Sequence, residues 1–321
     1  MGISVLWIIF FHMHSRLNIH PLLTFFQDIG YGGVDFFYLL SGLGVYHAYK
    51  GKAIDFYKRR VSRILPYYLP LVLIYSVYMY KINYISGGVV ISNIFLLSYW
   101  LNLPGTFDWY IPGLLFLYLI TPLYLDYFKR YQVRLTFLVL VLTGIFYFLF
   151  VDTPLNHLLI VFLRLPMYFG GIWLGYLIKE KNGLELGTKT IALSCISLLL
   201  GIGLLYYFFR FDPLFRTRFS ETMIPFWFIA FPFCLFSAFV CSKIKLSLIH
   251  RFLLFFGEYS LLIYIIHVKM IEIMLFYLDK YVDLYAIAAT ILFSIVWKYM
   301  VDRIKSNLFN RNNYEKDNIH T

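Results

Sequence analysis

Residues 30–44 read Gly-Tyr-Gly-Gly-Val-Asp-Phe-Phe-Tyr-Leu-Leu-Ser-Gly-Leu-Gly. The small residues at 30, 32, 33, 41, 42 and 44 let another backbone or a ligand approach closely. Asp35 puts a carboxylate a few residues into an otherwise apolar run. An ionisable group in such a run is costly, and it ordinarily faces a cavity, a substrate or a partner charge. From the residues alone, Asp35 fits a tightly packed helix interface and a functional site equally well. His12, Arg164, His267, Lys269 and Glu272 sit in apolar runs in the same way.

Composition fixes the class around this stretch. Of 321 residues, 61% are hydrophobic, 21% aromatic and 14% charged, with a mean hydropathy of +0.72. So few charges cannot cover the surface of a soluble domain with this much apolar side chain. The chain reads as an all-α, polytopic integral membrane helix bundle. Apolar stretches long enough for a ~30 Å hydrocarbon core, about 17 to 25 residues each, predict about ten transmembrane helices. They fall near 1–14, 31–49, 64–82, 109–128, 135–151, 158–178, 189–209, 222–241, 259–277 and 284–301. The first is short, and a further apolar run at 89–103 is either an eleventh span or a re-entrant segment.

Lys and Arg collect on the cytoplasmic side of membrane proteins. If 89–103 does not cross, segments 50–63, 129–134, 179–189, 243–251 and 298–321 hold 20 Lys and Arg. The opposite loops hold six: Arg16, Lys81, Arg210, Arg216, Arg218 and Lys280. Ten spans with both termini cytoplasmic is the arrangement this asymmetry favours. The net charge of +11 is then a topology signal, and no nucleic-acid partner is expected. Cys195, Cys234 and Cys241 lie in apolar runs at no metal-ligand spacing, so neither a disulfide framework nor a metal is expected. No internal repeat stands out, which weighs against a two-half transporter.

Arg60 and Arg63, three residues apart, project from one face of a helix. Guanidinium groups grip phosphate oxygens bidentately, so the pair suits a phosphorylated ligand from the cytosol. By position alone, topology and lipid-headgroup anchoring explain it at least as well.

Four strings in order resemble the membrane acyltransferase-3 family. Gly33-Val-Asp-Phe-Phe with Ser41-Gly42 is similar to the family's Gly-Val-Asp-x-Phe-Phe-x-x-Ser-Gly. Arg60-x-x-Arg63-Ile-Leu-Pro66 resembles its Arg-x-x-Arg motif. Trp109-Tyr110 through Tyr118 to Pro122 follows its aromatic fourth-span pattern, and Ser260 to Tyr264 and His267 its late Ser…Tyr-x-x-His segment. The resemblance implies a membrane acyltransferase domain over 1–305, followed by a cytoplasmic tail at 306–321 whose polar composition reads as disordered. The family's first-span Arg would fall at Met1, so the chain as given is expected to start inside that span.

The resemblance implies O-acyl transfer, most often acetyl from cytosolic acetyl-CoA, to a sugar hydroxyl of a surface polysaccharide, a lipid-linked glycan or peptidoglycan. An alcohol needs a base to take its proton, and the tetrahedral oxyanion needs donors. Histidine suits the base role. His12 lies eleven residues into the first span, roughly 16 Å along a helix, and is the family's matching histidine. His14 is the competing position, and an acyl-histidine intermediate is the competing route. Asp35 is expected to orient His12 or another reacting group, and His267 to reach the active-site cavity beside Tyr264. Arg60 and Arg63 are expected on CoA phosphates. Arg164 is expected either on those phosphates or paired with Asp35 or Glu272, and Lys269 with Glu272. Ser41, Trp109, Tyr110 and Tyr264 are supporting or substrate-contacting positions, with 83–108 and 210–221 as acceptor contacts. Membrane lipid, acyl-CoA and a glycan or lipid-linked glycan acceptor are the expected partners, in the cell's inner or plasma membrane. The competing function is a non-catalytic transporter of a glycan, lipid or acyl group, which would move substrate without consuming acyl donor.

Overall fold

A computed structural model of the chain describes residues 1–13, 20–180, 187–211, 219–243, 247–278 and 280–317. His14 and most of the 210–221 loop lie outside them. Every regular element among the described residues is helical. In order they are α1 (Gly2–His12), α2 (Pro21–Asp28), α3 (Gly33–Ala48), α4 (Ala53–Lys81), α5 (Gly87–Ile94), α6 (Tyr110–Phe150) and α7 (Leu159–Phe162). There follow α8 (Leu165–Glu180), α9 (Thr188–Phe211), α10 (Phe226–Lys243), α11 (Ser247–Glu258), α12 (Ser260–Tyr277) and α13 (Val282–Asp317).

Seven helical segments among the described residues are long and apolar enough to cross a membrane. One of them, α6, is 41 residues long, about 60 Å if straight. It is not straight. The rings of Phe116 and Phe146 lie 6.1 and 4.2 Å, centroid to centroid, from the same Phe162 ring. That requires α6 to double back at Tyr131, where the backbone leaves helical geometry (φ −128°, ψ 33°). Each half then has about the length of a hydrocarbon core. Predicted spans 109–128 and 135–151 are these two halves. Helices α1 and α3, with 11 and 16 residues, are shorter than a lone spanning helix and are held inside the bundle. The α5 helix rises only about 12 Å over its eight residues, so 89–103 does not form a single helix long enough to span. The predicted tail overlaps α13, which is helical to Asp317.

The spine of the bundle is the pairing of α3 with α8. Residues 33–39 of α3 are all buried, because an apolar helix with no polar face has no side to offer water. Two glycines set the interaxial distance. A Cβ on Gly42 would lie 1.9 Å from the Tyr168 carbonyl oxygen, and one on Gly171 would lie 1.9 Å from that of Leu39. The two backbones therefore touch reciprocally, as small-residue membrane interfaces do.

At one end of this contact Asp35 meets Arg164, Oδ1 to Nε at 3.4 Å, with side chains 0% and 1% exposed. Arg164 sits in the break between α7 and α8. Pro166 has no N–H to give the Phe162 carbonyl, and the regular helix is interrupted there, between Phe162 and Leu165. The guanidinium also donates from Nη1 to the Ile160 carbonyl at 2.6 Å and approaches Met223 Sδ at 2.9 Å. At the other end, the Tyr46 hydroxyl donates to Glu180 at 3.1 Å. Around this spine α1 packs against α3, α11 and α12, and α10 against α3 and α9. The Trp297 indole N–H donates to the Tyr67 carbonyl at 3.0 Å and joins α13 to α4. Apolar side chains left exposed on α9, such as Ile196 and Leu199, face lipid.

Gly42→Ala and Gly171→Ala are expected to destabilise the bundle by about 1–3 kcal/mol or more, read as a lower midpoint of thermal unfolding in detergent. Gly170→Ala, where a Cβ meets nothing within 4 Å, should leave the midpoint unchanged or raised. Asp35→Ala strands a buried cation and is expected to cost about 3–5 kcal/mol. The double substitution Asp35→Leu with Arg164→Met should recover most of that in the same assay. If the double variant is no more stable than Asp35→Ala, the pair is not what holds this end of the spine.

Candidate functional site

Two cavities lie on either side of Tyr264. The first, of about 490 Å³, is bordered by Ser41, Arg60, Arg63, Tyr118, Glu258 and Lys298, and by Phe37, Tyr110 and Tyr264. The second, of about 410 Å³, is bordered by His12, Asp108, Trp109, Arg164, His267 and Lys269, again with Tyr264. The Tyr264 ring packs on Tyr110 at 4.7 Å and on Phe37 at 5.9 Å. These three rings form an aromatic partition between an arginine cavity and a histidine cavity.

In the arginine cavity α4 presents Arg60 and Arg63 from one face, as their spacing requires. The Arg60 guanidinium lies over the rings of Phe56 and Tyr118, at 5.4 and 5.3 Å, and donates to the Gly44 carbonyl at 3.4 Å. Aromatic faces and a carbonyl hold it in place without cancelling its charge. Lys298 of α13 adds a third cation and is paired with Glu258. Lys298 escaped the sequence reading because it was counted with the basic end of the chain. The signal was its position inside the apolar run 284–301.

In the histidine cavity α1 and α12 bring His12 and His267 together, His12 Nδ1 to His267 Nε2 at 3.2 Å and ring centroids at 4.8 Å. Asp35 is not brought to His12. Both its carboxylate oxygens lack a hydrogen-bond partner in the structure, and its charge is set against Arg164. Arg164 borders this cavity, with its guanidinium 5.0 Å from the Trp109 ring, and is not brought to Arg60 and Arg63. Of its predicted partners, Asp35 is the one it meets. Lys269 pairs with Glu272 at 3.1 Å and lies over the Tyr75 ring at 4.7 Å.

Asp108 was not singled out by sequence reasoning. It accepts hydrogen bonds from the Tyr110 and Ile111 amides at 3.1 and 2.8 Å, which caps α6. An Asp two residues ahead of a long apolar run was the available signal. The loop that carries Asp108 is held by buried Asn93. Its side-chain amide donates to Ser76 Oγ and to the Gly105 carbonyl, both at 3.1 Å, and its oxygen accepts from the Phe107 amide at 3.2 Å.

The geometry offers a pocket bordered by two arginines and by the Lys298–Glu258 pair, whose arginines suit phosphates, a shared aromatic wall, and a histidine pair in the second cavity. No match was found among curated proteins or among solved structures. The acyltransferase-3 family model (Acyl_transf_3), described as an acyltransferase domain, matches residues 2–301. That is nearly the whole chain, and it carries His12, Arg60, Arg63, Arg164 and His267 alike: this protein belongs to the acyltransferase-3 family of membrane acyltransferases.

Proposed function

We propose that this chain transfers an acetyl group from cytosolic acetyl-CoA to a sugar hydroxyl of a cell-surface polysaccharide or its lipid-linked precursor. The observation that carries the proposal is the pair of cavities meeting at Tyr264. Arg60, Arg63 and Lys298 take the CoA phosphates in one cavity, and the thioester end reaches past Tyr264 towards the other. The acceptor occupies the histidine cavity, against Trp109 and Asp108. In this reading the basic segments, including both termini, face the cytosol. Ten crossings result from counting α6 as two and including α1 and α3.

The step balances within these groups. His12 takes the proton of the acceptor hydroxyl as its oxygen bonds to the thioester carbonyl carbon. Arg164 supplies a fixed positive charge at the same cavity for the oxyanion that develops. The carbon–sulfur bond then breaks, and the CoA thiolate takes the proton from His12 and leaves as free thiol. Asp35 keeps Arg164 in place and does not touch the reacting atoms.

The test is release of free CoA thiol from acetyl-CoA by the purified protein in detergent with acceptor glycan present. His12→Ala is expected to lower the rate by about 10²- to 10⁴-fold while CoA binding persists. Arg63→Gln is expected to weaken CoA binding roughly 10- to 100-fold. CoA binding with no thiol release from the wild-type protein in the presence of acceptor glycan, together with glycan flux in vesicles, would replace this proposal by transport.

A further inference from the structure

The two histidines do not have equal roles, and their backbone partners tell them apart. His267 is 2% exposed. Its Nδ1 lies 2.7 Å from the Tyr264 carbonyl oxygen and 3.0 Å from that of Ile263. Carbonyl oxygens only accept, so Nδ1 carries the ring hydrogen. A neutral imidazole has one N–H, which leaves Nε2 of His267 with a lone pair. That lone pair faces His12 Nδ1 at 3.2 Å. His12 Nδ1 also lies 2.9 Å from the Ile8 carbonyl oxygen. Both neighbours of His12 Nδ1 are therefore acceptors, and this nitrogen must carry hydrogen. The lone pair of His12 is left on Nε2.

We propose that His267 is a positioning residue that fixes the tautomer of His12, so that His12 Nε2 alone serves as base. The proposal rests on the acyl-transfer reading only for what the base does. His267 cannot take the acceptor's proton, because its one lone pair is engaged by His12 and its N–H by the turn of α12 behind it. When His12 Nε2 gains the hydroxyl proton, its Nδ1–H stays where it is. The hydrogen bond to His267 becomes charge-assisted and stronger. When the proton passes to the CoA thiolate, the pair returns to its starting state with no ring flip and no change at His267. The reverse tautomer of His12 would point an Nδ1 lone pair at the Ile8 oxygen and at the His267 lone pair together, two repulsive contacts in a buried site.

The experiment combines nitrogen NMR of protein labelled with ¹⁵N-histidine with thiol release from acetyl-CoA. The His12 resonances are identified by their loss in His12→Gln. In the wild-type protein His12 should show a pyrrole-like Nδ1 and a pyridine-like Nε2. His267→Leu removes the acceptor and should give a mixture of His12 tautomers, with kcat down about 10²-fold and KM for acetyl-CoA unchanged. His267→Gln puts a carbonyl oxygen near the position of Nε2 and should restore the single tautomer and most of kcat. Thermal unfolding of each variant in detergent separates a folding defect from a chemical one, and the Gln variant keeps the test alive if the Leu variant does not fold. A pyrrole-like Nε2 on wild-type His12 overturns the proposal. So does a His12 tautomer that does not move in His267→Leu, or a His267→Gln variant that folds but has neither the single tautomer nor the activity. The NMR readout needs no turnover. The expected tautomer pattern in a wild-type protein that releases no thiol in the presence of acceptor glycan, and that moves glycan in vesicles, would overturn acyl transfer and leave the assignment of His267 standing.

Discussion

The Asp35–Arg164 ion pair constrains everything around it. Neither charge reaches solvent, and a lone ion in that setting is far costlier than a pair. The charges can meet only if α3 and α8 run alongside each other in one register, and the touching glycines Gly42 and Gly171 allow only that register to close. The pair is thus weak as a source of net stability and strong as a specification. A slip of one turn would strand both charges and drive a Cβ-bearing residue into a carbonyl. Because Arg164 also borders the histidine cavity and lies under Trp109, the contact that fixes the fold also fixes one wall of the site.

Hydropathy made the crossing segments legible and left their ends and partners hidden, for physical reasons. Predicted spans 189–209 and 259–277 agree closely with α9 and α12. The third span was expected to open at 64, but α4 begins at Ala53. Lys58, Arg59, Arg60 and Arg63 end the apolar run without ending the helix, since hydropathy reports the solvent around a residue and not its backbone. The basic cluster at 129–134 does mark the fold-back at Tyr131, although α6 stays helical up to that single residue on either side. Asp35 was legible as a costly charge, and Arg164 could be named as one partner for it, but nothing in the sequence chose that pairing for Arg164 over Glu272 or a ligand phosphate. Among helices apolar on nearly every face, no periodic pattern says which side meets which neighbour.

The site was legible residue by residue and not as geometry. Arg60 and Arg63 share a face because three residues separate them, and that much is local arithmetic. His12 and His267 are 255 positions apart, and no spacing rule joins them. Their contact depends on α1 lying against α12. Asp108 was missed because its signal is a helix cap, which sequence reading treats as punctuation. Here the cap stands at the edge of a cavity, on a loop that buried Asn93 holds through two hydrogen bonds while a third ties Asn93 to Ser76 of α4.

Tyr264 ties these strands together, because its two halves do different work. Its ring stands between the cavities, packed on Tyr110 and Phe37, and it must yield if a thioester is to pass. Its carbonyl oxygen accepts the His267 N–H at 2.7 Å, and through His267 it bears on the tautomer of His12. A ring moves by rotation about its side-chain bonds, whereas a helix carbonyl is fixed by the backbone on either side. The partition can therefore open without disturbing the hydrogen bonds that set the base. A helix suits this arrangement. In the proposed reaction one residue on α12 stands across the path with its side chain while its main chain holds the histidine one turn further along, so that access to the site and readiness of the base would be adjacent in space and mechanically separate.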